Sequence, residues 1–202
     1  MSNLSIVYYT ANTEQEPFEK KIIDQINKVR GDVPVISVSQ KPMDFGKNIC
    51  VGKLKQNYQN AFYQATVGCL AADTDYVVMC EDDCLYPPGY FNFKPEKKDV
   101  IYTYDNVWLI WDREQRTRFY KHGTTAGSII VGREFYIDFL KSGHNFKDPN
   151  LKWEKFTGEP LINIKTRKGI SFGTTLDTSV KPVKRFPLWG TVDDVLKNYV
   201  RS

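Results

Sequence analysis

The 202-residue sequence has no apolar run near the roughly 18 residues that a bilayer-spanning helix requires. Its opening, Met1-Ser2-Asn3-Leu4-Ser5, puts no basic cluster ahead of an apolar stretch, and the apolar run that follows stops at Tyr9. That pattern suits a first β-strand better than a secretory leader, so a soluble intracellular protein with no membrane partner is expected. Cysteine is scarce: Cys50, Cys69, Cys80 and Cys84 follow no disulfide-framework spacing, and reduced thiols are the expectation. Histidine is scarcer still, with His144 in a polar turn and His122 in KHGTTAG, beside a Gly-Thr-Thr segment where it could line a binding site; neither is assigned to a metal. The net charge of +4, from 28 basic and 24 acidic residues, is too small for a dedicated nucleic-acid binder. There is no internal repeat, low-complexity tract or linker, so residues 1–202 are expected to form one domain.

What is present is an alternation of strand and helix patterns. Leu4 to Tyr9 (LSIVYY) has the β-branched and aromatic content of a buried strand, and Thr10-Ala11-Asn12-Thr13 makes a polar turn after it. From Pro17 to Val29, Phe18, Ile22, Ile23, Ile26 and Val29 recur at helical spacing, and Val33 to Val38 follows as a second strand. A β-α-β unit of this kind favours parallel pairing. Ser39 to Gly52, with Pro42, Gly46 and Gly52, is expected to be a loop. Leu54, Tyr58, Ala61, Phe62, Ala65 and Cys69 then mark a long helix to about Ala72, and Tyr76 to Cys80 a third strand.

After Pro87-Pro88-Gly89 shorter strand-like pieces are expected at Val100 to Tyr104, Val107 to Trp111, Phe119-Tyr120 and Ser128 to Val131, in mixed or antiparallel pairing. A helix from Arg133 to Leu140 and a terminal helix from Val192 to Tyr199 complete the pattern. Between them, Lys147 to Arg185 is rich in lysine and arginine, which gives this part an anion-attracting field.

The third strand runs directly into Glu81-Asp82-Asp83. Neighbouring carboxylates raise one another's pKa unless a cation or several donors offset the repulsion. Carboxylate oxygens suit a hard divalent ion, Mn2+ or Mg2+, which leaves coordination positions for substrate phosphates. The position also fits, because ligands bind open α/β sheets at the carboxyl ends of their strands.

This order of strand, TAN turn, helix, strand, the loop ISVSQKPMDFGKNICVG, long helix and YVVMCEDD resembles the nucleotide-binding half of GT-A glycosyltransferases, particularly small family-2-like enzymes of phage and viruses. The resemblance runs from about Leu4 to Pro88 and weakens beyond. It implies a GT-A (Rossmann-like) three-layer α/β/α sandwich with a mostly parallel central sheet and a mixed C-terminal part. Residues 1–90 would then bind the nucleotide-sugar, a UDP-sugar being favoured, and residues 91–202 the acceptor. It further implies Asp83 and Glu81 as metal ligands, Asp82 facing the ribose or sugar, and Tyr9, Thr10 and Asn12 contacting the nucleobase or ribose. Lys53 and Asn57, four apart at the start of the long helix, would reach the donor.

The acceptor half is expected to supply a carboxylate base if the transfer inverts, and in WEKFTGEP either Glu154 or Glu159 could serve, with Trp153 as a sugar platform. Related enzymes often carry a histidine after a late strand; LINIKTRKGISFG has none, so Arg167 and Lys168 are expected to clamp the diphosphate. Acceptors compatible with the sequence are a glycan, a glycoprotein and hydroxymethylated DNA, and a phage or viral source would place the reaction in the host cytoplasm. Two other functions stay open. A nucleotidyltransferase shares the metal carboxylates, although TANTEQEP lacks the Gly-rich basic signature expected after its first strand. A non-catalytic sugar- or nucleic-acid-binding module could keep the same fold.

Overall fold

A computed structural model describes residues 3–112, 116–123, 125–143, 146–166 and 176–201. The first half runs β1 (Leu4–Thr10), α1 (Glu16–Val29), β2 (Val35–Ser39), β3 (Lys47–Cys50), α2 (Tyr58–Ala71) and β4 (Tyr76–Glu81). The second half comprises β5 (Cys84–Leu85), β6 (Val100–Tyr104), β7 (Val107–Trp111), β8 (Tyr120–Lys121), β9 (Ile129–Gly132), α3 (Arg133–Lys141), β10 (Lys152–Phe156) and β11 (Leu161–Lys165). It closes with the hairpin β12 (Arg185–Phe186) and β13 (Gly190–Thr191), then α4 (Val192–Val195), which passes into a π-helical turn over Leu196–Val200.

The main sheet has the order β10-β6-β9-β4-β1-β2-β3. β1 pairs in parallel with β2 and β4, β2 with β3 and β10 with β6, while β9 runs antiparallel to both β4 and β6. Strand alternation sorts the core into two faces. Ile6, Tyr8, Val78 and Cys80 join a cluster with Phe18, Ile22 and Ile26 of α1, whereas Val7, Val77 and Met79 join one with Ala65 and Cys69 of α2 and Tyr136, Ile137 and Leu140 of α3. A second sheet, β5-β11-β7-β8, shares the cluster of α1. The result is the expected three-layer arrangement with mostly parallel pairing in its centre and mixed pairing in the later chain.

Local chemistry accounts for the boundaries. α1 opens with a proline in its first turn and with Glu16 and Glu19 there, and closes with Lys28, so its charges complement the helix dipole. α2 begins at Tyr58, four residues later than the expected Leu54, because Asn57 takes the N-cap and its Oδ1 accepts the amide of Asn60 at 2.8 Å. The expected loop Ser39–Gly52 contains the edge strand β3, whose Asn48 donates to Ser37 Oγ and Ser39 Oγ, both at 2.9 Å. Four residues flanked by Gly46 and Gly52 carry too little periodicity to announce a strand. The last helix starts where expected, at Val192, with the capping box of Thr191 and Asp194 at its start, and runs on from Leu196 as a π-helical turn to Val200.

α2 lies so close to the sheet that a side chain on Gly68 has no room: a Cβ there would stand 2.4 Å from Cγ1 of Val7 and 3.2 Å from Cγ2 of Val38. Both neighbours are stiff, β-branched core residues. Gly68→Val should therefore lower the unfolding free energy by about 2 kcal/mol, within the usual range for overpacking. Urea denaturation checks this, and an unchanged midpoint would show that α2 can lift off the sheet freely.

Candidate active site at the junction of two sheets

β4 ends in the main sheet at Glu81 and β5 begins in the second sheet at Cys84, so the acid triplet is the chain's crossing between sheets. Parallel register sets Glu81 beside Tyr9 of β1, and Tyr9 Oη donates to Glu81 Oε1 at 2.8 Å. Thr10, the next residue, donates from Oγ1 to Asp82 Oδ2 at 2.6 Å and accepts the Asn12 amide at 2.8 Å. Asp83 turns to the other sheet. Its carbonyl accepts the amide of Ile164 at 2.7 Å, its Oδ1 accepts Asn163 Nδ2 at 2.7 Å, and its Oδ2 accepts Lys165 Nζ at 2.8 Å.

Beneath the triplet, fully buried Tyr86 accepts the Glu81 amide at its hydroxyl, 3.0 Å away, and donates to the Gly127 carbonyl at 2.7 Å. A Cβ on Gly127 would lie 2.6 Å from Glu81 Oε2 and would push that carboxylate out of its place. Gln64 of α2 closes the floor by donating to the carbonyls of Thr10 and Val38, at 2.8 and 2.9 Å.

A cleft of about 200 Å³ opens over these groups. Its walls are Tyr9, Thr10, Ala11, Thr13 and Glu14 from the first turn, Gln40, the segment Lys55-Gln56-Asn57 with Asn60, Ala61 and Gln64, the triplet, and Lys165-Thr166. Among the described residues, four carboxylates (Glu14, Glu81, Asp82, Asp83) against two ammonium groups (Lys55, Lys165) give the lining a formal charge of −2. The titration behaviour follows from burial and then from that excess. Burial, then Asp83, raises the pKa of Glu81, opposed by Lys165 and the Tyr9 hydroxyl. Burial and Asp83 likewise hold Asp82 well above the usual carboxylate range, opposed by Thr10. Burial works against the Lys165 ammonium, yet Asp83 and Glu81 outweigh it and raise its pKa.

The donor set fits a hard divalent ion. Glu81, Asp83 and Cys84 each offer a ligand atom, all within 4.8 Å of one another. Cys84 is the soft member of this set, and its buried thiol has a pKa raised well above normal, first by burial and then by Asp83. Two carboxylates remain, the ligands that Mg2+ or Mn2+ prefers, in a cleft whose charge such an ion would neutralise.

The structure brings Tyr9, Thr10, Glu81, Asp82, Asp83 and Asn57 to this cleft and places Asn12, Lys53, Glu154 and Glu159 outside its lining. Asn12, at φ 48°, spends its Oδ1 on the amides of Gln40 and Lys41, at 2.9 and 2.8 Å, and thereby ties the turn after β1 to the turn after β2. Lys53 is exposed and precedes the helix it was expected to occupy; Lys55 lines the cleft instead. Glu154 lies on β10, three strands from β4, or roughly 14 Å across the sheet. It forms an ion pair with Lys97. Glu159 is exposed ahead of β11, whose five residues carry the chain roughly 16 Å to Lys165. Neither glutamate lines the cleft, and Trp153, beside Glu154 on the edge strand, is also remote from it. His122 is buried with Nδ1 2.7 Å from the Gly123 carbonyl, and burial lowers its pKa. Arg167, Lys168 and His144 lie outside the described residues.

Sequence reasoning missed Lys165, Asn163, Tyr86, Gln64, Gly127 and Glu14. Lys165 was within reach of inspection, since it ends the apolar run LINI as Glu81 ends YVVMC. Gly127 has no local signal, because its role depends on packing against a carboxylate far along the chain.

No protein-family model matches the chain, and no curated protein matches it. Among solved structures it is similar to S. aureus TarS 1-349 in complex with UDP-GlcNAc, at a TM-score of 0.50 and 10% identity over 85% of this chain and 61% of that one. It also matches mannosyltransferase PcManGT from Pyrobaculum calidifontis in complex with GDP-Man and Mn2+, at a TM-score of 0.48 and 12% identity over 83% of this chain and 58% of that one. The chain thus spans about three fifths of either structure's length. The likeness to TarS shows the fold, which is the GT-A type.

A carboxyl whose pKa rises on folding contributes stability that is complete below its unfolded value, about 3.9 for aspartate, and is lost as pH climbs through the folded value. Asp82 is such a group. Asp82→Asn keeps an acceptor for Thr10 and removes the charge, so it should stabilise the protein at pH 7 by about 1 kcal/mol, in the range common for relieving a functional site. Thermal unfolding of both proteins from pH 4 to pH 8 measures it. The gain should shrink towards zero at the acid end, and a gain independent of pH would rule out a charge origin.

Proposed function

We propose that the protein is a glycosyltransferase that moves a sugar from a nucleoside-diphosphate sugar, a UDP-sugar being favoured, to an acceptor hydroxyl. The observation that carries this reading is the convergence of Glu81 and Asp83 at the carboxyl margin of β1 and β4, inside a cleft whose other wall is rich in amides. That margin is where α/β sheets of this kind hold nucleotides. Gln40, Gln56, Asn57 and Asn60 offer paired donors and acceptors of the sort that read a base edge and a ribose. The cleft is smaller than the roughly 300–1,000 Å³ of ordinary small-molecule pockets, so the sugar would project from it towards an acceptor rather than be enclosed.

In this reading Glu81 and Asp83 hold Mn2+ or Mg2+, which when bound neutralises the charge of the leaving diphosphate. Tyr9 and Thr10 orient the first two acids through their hydroxyl donors, and Tyr86 fixes the backbone of Glu81. Asp82 faces the ribose or the sugar. The rigid strand ends keep these groups from rearranging as charge moves to the diphosphate, which is how preorganised sites lower a barrier. The acceptor belongs to the hydroxyl class, on a glycan, a glycoprotein or hydroxymethylated DNA. No helix among the described residues is long and apolar enough to cross a membrane.

Thermal shift with a panel of nucleotide-sugars in Mn2+ tests the donor, because a ligand present at 100 times its Kd stabilises the native state by about 2.7 kcal/mol. One donor should raise the melting temperature by several degrees, and chelator should abolish the shift. Asp83→Asn should reduce release of nucleoside diphosphate at least about a hundredfold. Release of pyrophosphate from a nucleoside triphosphate instead would make the protein a nucleotidyltransferase, and a donor bound without turnover would make it a binding module.

A further inference from the structure

Lys165 stands at the carboxyl end of β11 with its Nζ 2.8 Å from Asp83 Oδ2, and both side chains are mostly covered, at 18% and 17% exposure. Among the described residues two ammonium groups reach the cleft wall; Lys55 belongs to the exposed segment before α2, and Lys165 is set among the acids. Both oxygens of Asp83 are already engaged, and by groups of different mobility. Oδ1 accepts from Asn163, whose side chain is fully buried and whose strand is pinned to Asp83 by the Ile164 amide. Oδ2 accepts from an ammonium on a flexible four-carbon stem. A divalent ion shared between Glu81 and Asp83 therefore gains its Asp83 oxygen most cheaply by displacing the lysine. The displaced ammonium, repelled by a dication next to it, would find a strongly attractive partner in the donor's diphosphate.

We propose that Lys165 is the resident counter-ion of the acid cluster, that a divalent ion exchanges with it on Asp83 Oδ2, and that the freed ammonium then binds the nucleotide's diphosphate. This deepens the glycosyltransferase reading and rests on it. Lys165 is thereby a donor-binding residue that also protects the empty cleft from its own repulsion. The exchange explains how one cleft can hold three adjacent acids at rest and accept a polyanion when loaded.

The test uses the full chain, Mn2+ alone and UDP as probes. Calorimetry should show Lys165→Met binding Mn2+ about tenfold more tightly than the original protein, because a competitor worth one charged hydrogen bond is gone. The same variant at saturating Mn2+ should bind UDP about tenfold more weakly, while Lys165→Arg, which keeps the competing charge, should gain no Mn2+ affinity. Equal or weaker Mn2+ binding by Lys165→Met would overturn the exchange, since a merely structural ion pair loses affinity with its partner. Should Lys165→Met fail to fold, acylation of Lys165 in the unaltered protein, read by mass spectrometry, decides the matter. Mn2+ alone should speed labelling several-fold and Mn2+ with UDP should slow it again; labelling indifferent to Mn2+ would overturn the proposal. UDP binding that is unaffected by Lys165→Met sinks this inference alone, whereas UDP binding to neither protein sinks the glycosyltransferase reading with it.

Discussion

The arrangement depends on the crossing of the chain from one sheet to the other at Asp83. β11 clasps this residue at three points, through the Ile164 amide, the Asn163 amide group and the Lys165 ammonium. Those contacts join β4 of the main sheet to the second sheet, so the same three bonds that hold the sheets in register also aim a carboxylate into the cleft. Charged hydrogen bonds of this kind, partly shielded from water, are worth more than exposed ion pairs such as Lys20–Asp24, which are worth under about 1 kcal/mol.

The first two acids are held differently. Glu81 and Asp82 each receive a hydroxyl hydrogen bond from β1, and among the described residues no cationic side chain donates to either. Their raised pKa values record burial first and the neighbouring Asp83 carboxylate second, a cost that the fold tolerates at this spot. Close packing below, from Tyr86, Gly127 and Gln64, leaves the carboxylates no inward path, and so they face the cleft. Local electrostatic cost is thus tied to readiness for a positively charged ligand, a pairing common where function and stability compete.

Much of the first half could be read from the residues in order. The LSIVYY and YVVMC runs, the spacing of Phe18, Ile22 and Ile26, and the acids after Cys80 are local signals, and parallel pairing of the strands puts Tyr9 and Thr10 beside Glu81 and Asp82 without further assumption. Apolar periodicity points to a helix from Leu54, but the capping side chain of Asn57 starts α2 at Tyr58 and leaves Lys53 ahead of it. Later residues were harder for a different reason. Glu154 and Lys165 both sit near strands of the basic segment, but β10 enters the main sheet at its far edge while β11 enters the second sheet beside β5. Nothing in either strand's composition announces which sheet it joins; that is settled by long-range packing, and it sends one residue away from the cleft and the other into it.

Tyr86 joins the cleft to the outer layer of the molecule. Its backbone carbonyl accepts the side-chain amide of Gln25, on α1, and its own amide donates back to Gln25 Oε1 at 3.1 Å, while its hydroxyl bridges Glu81 and Gly127. A helix on the far side of the sheet is thereby coupled, through one phenol ring, to the backbone of a proposed metal ligand. Residues that never meet a ligand can tune its affinity along this route, and a search for altered specificity that sampled only the cleft wall would overlook them.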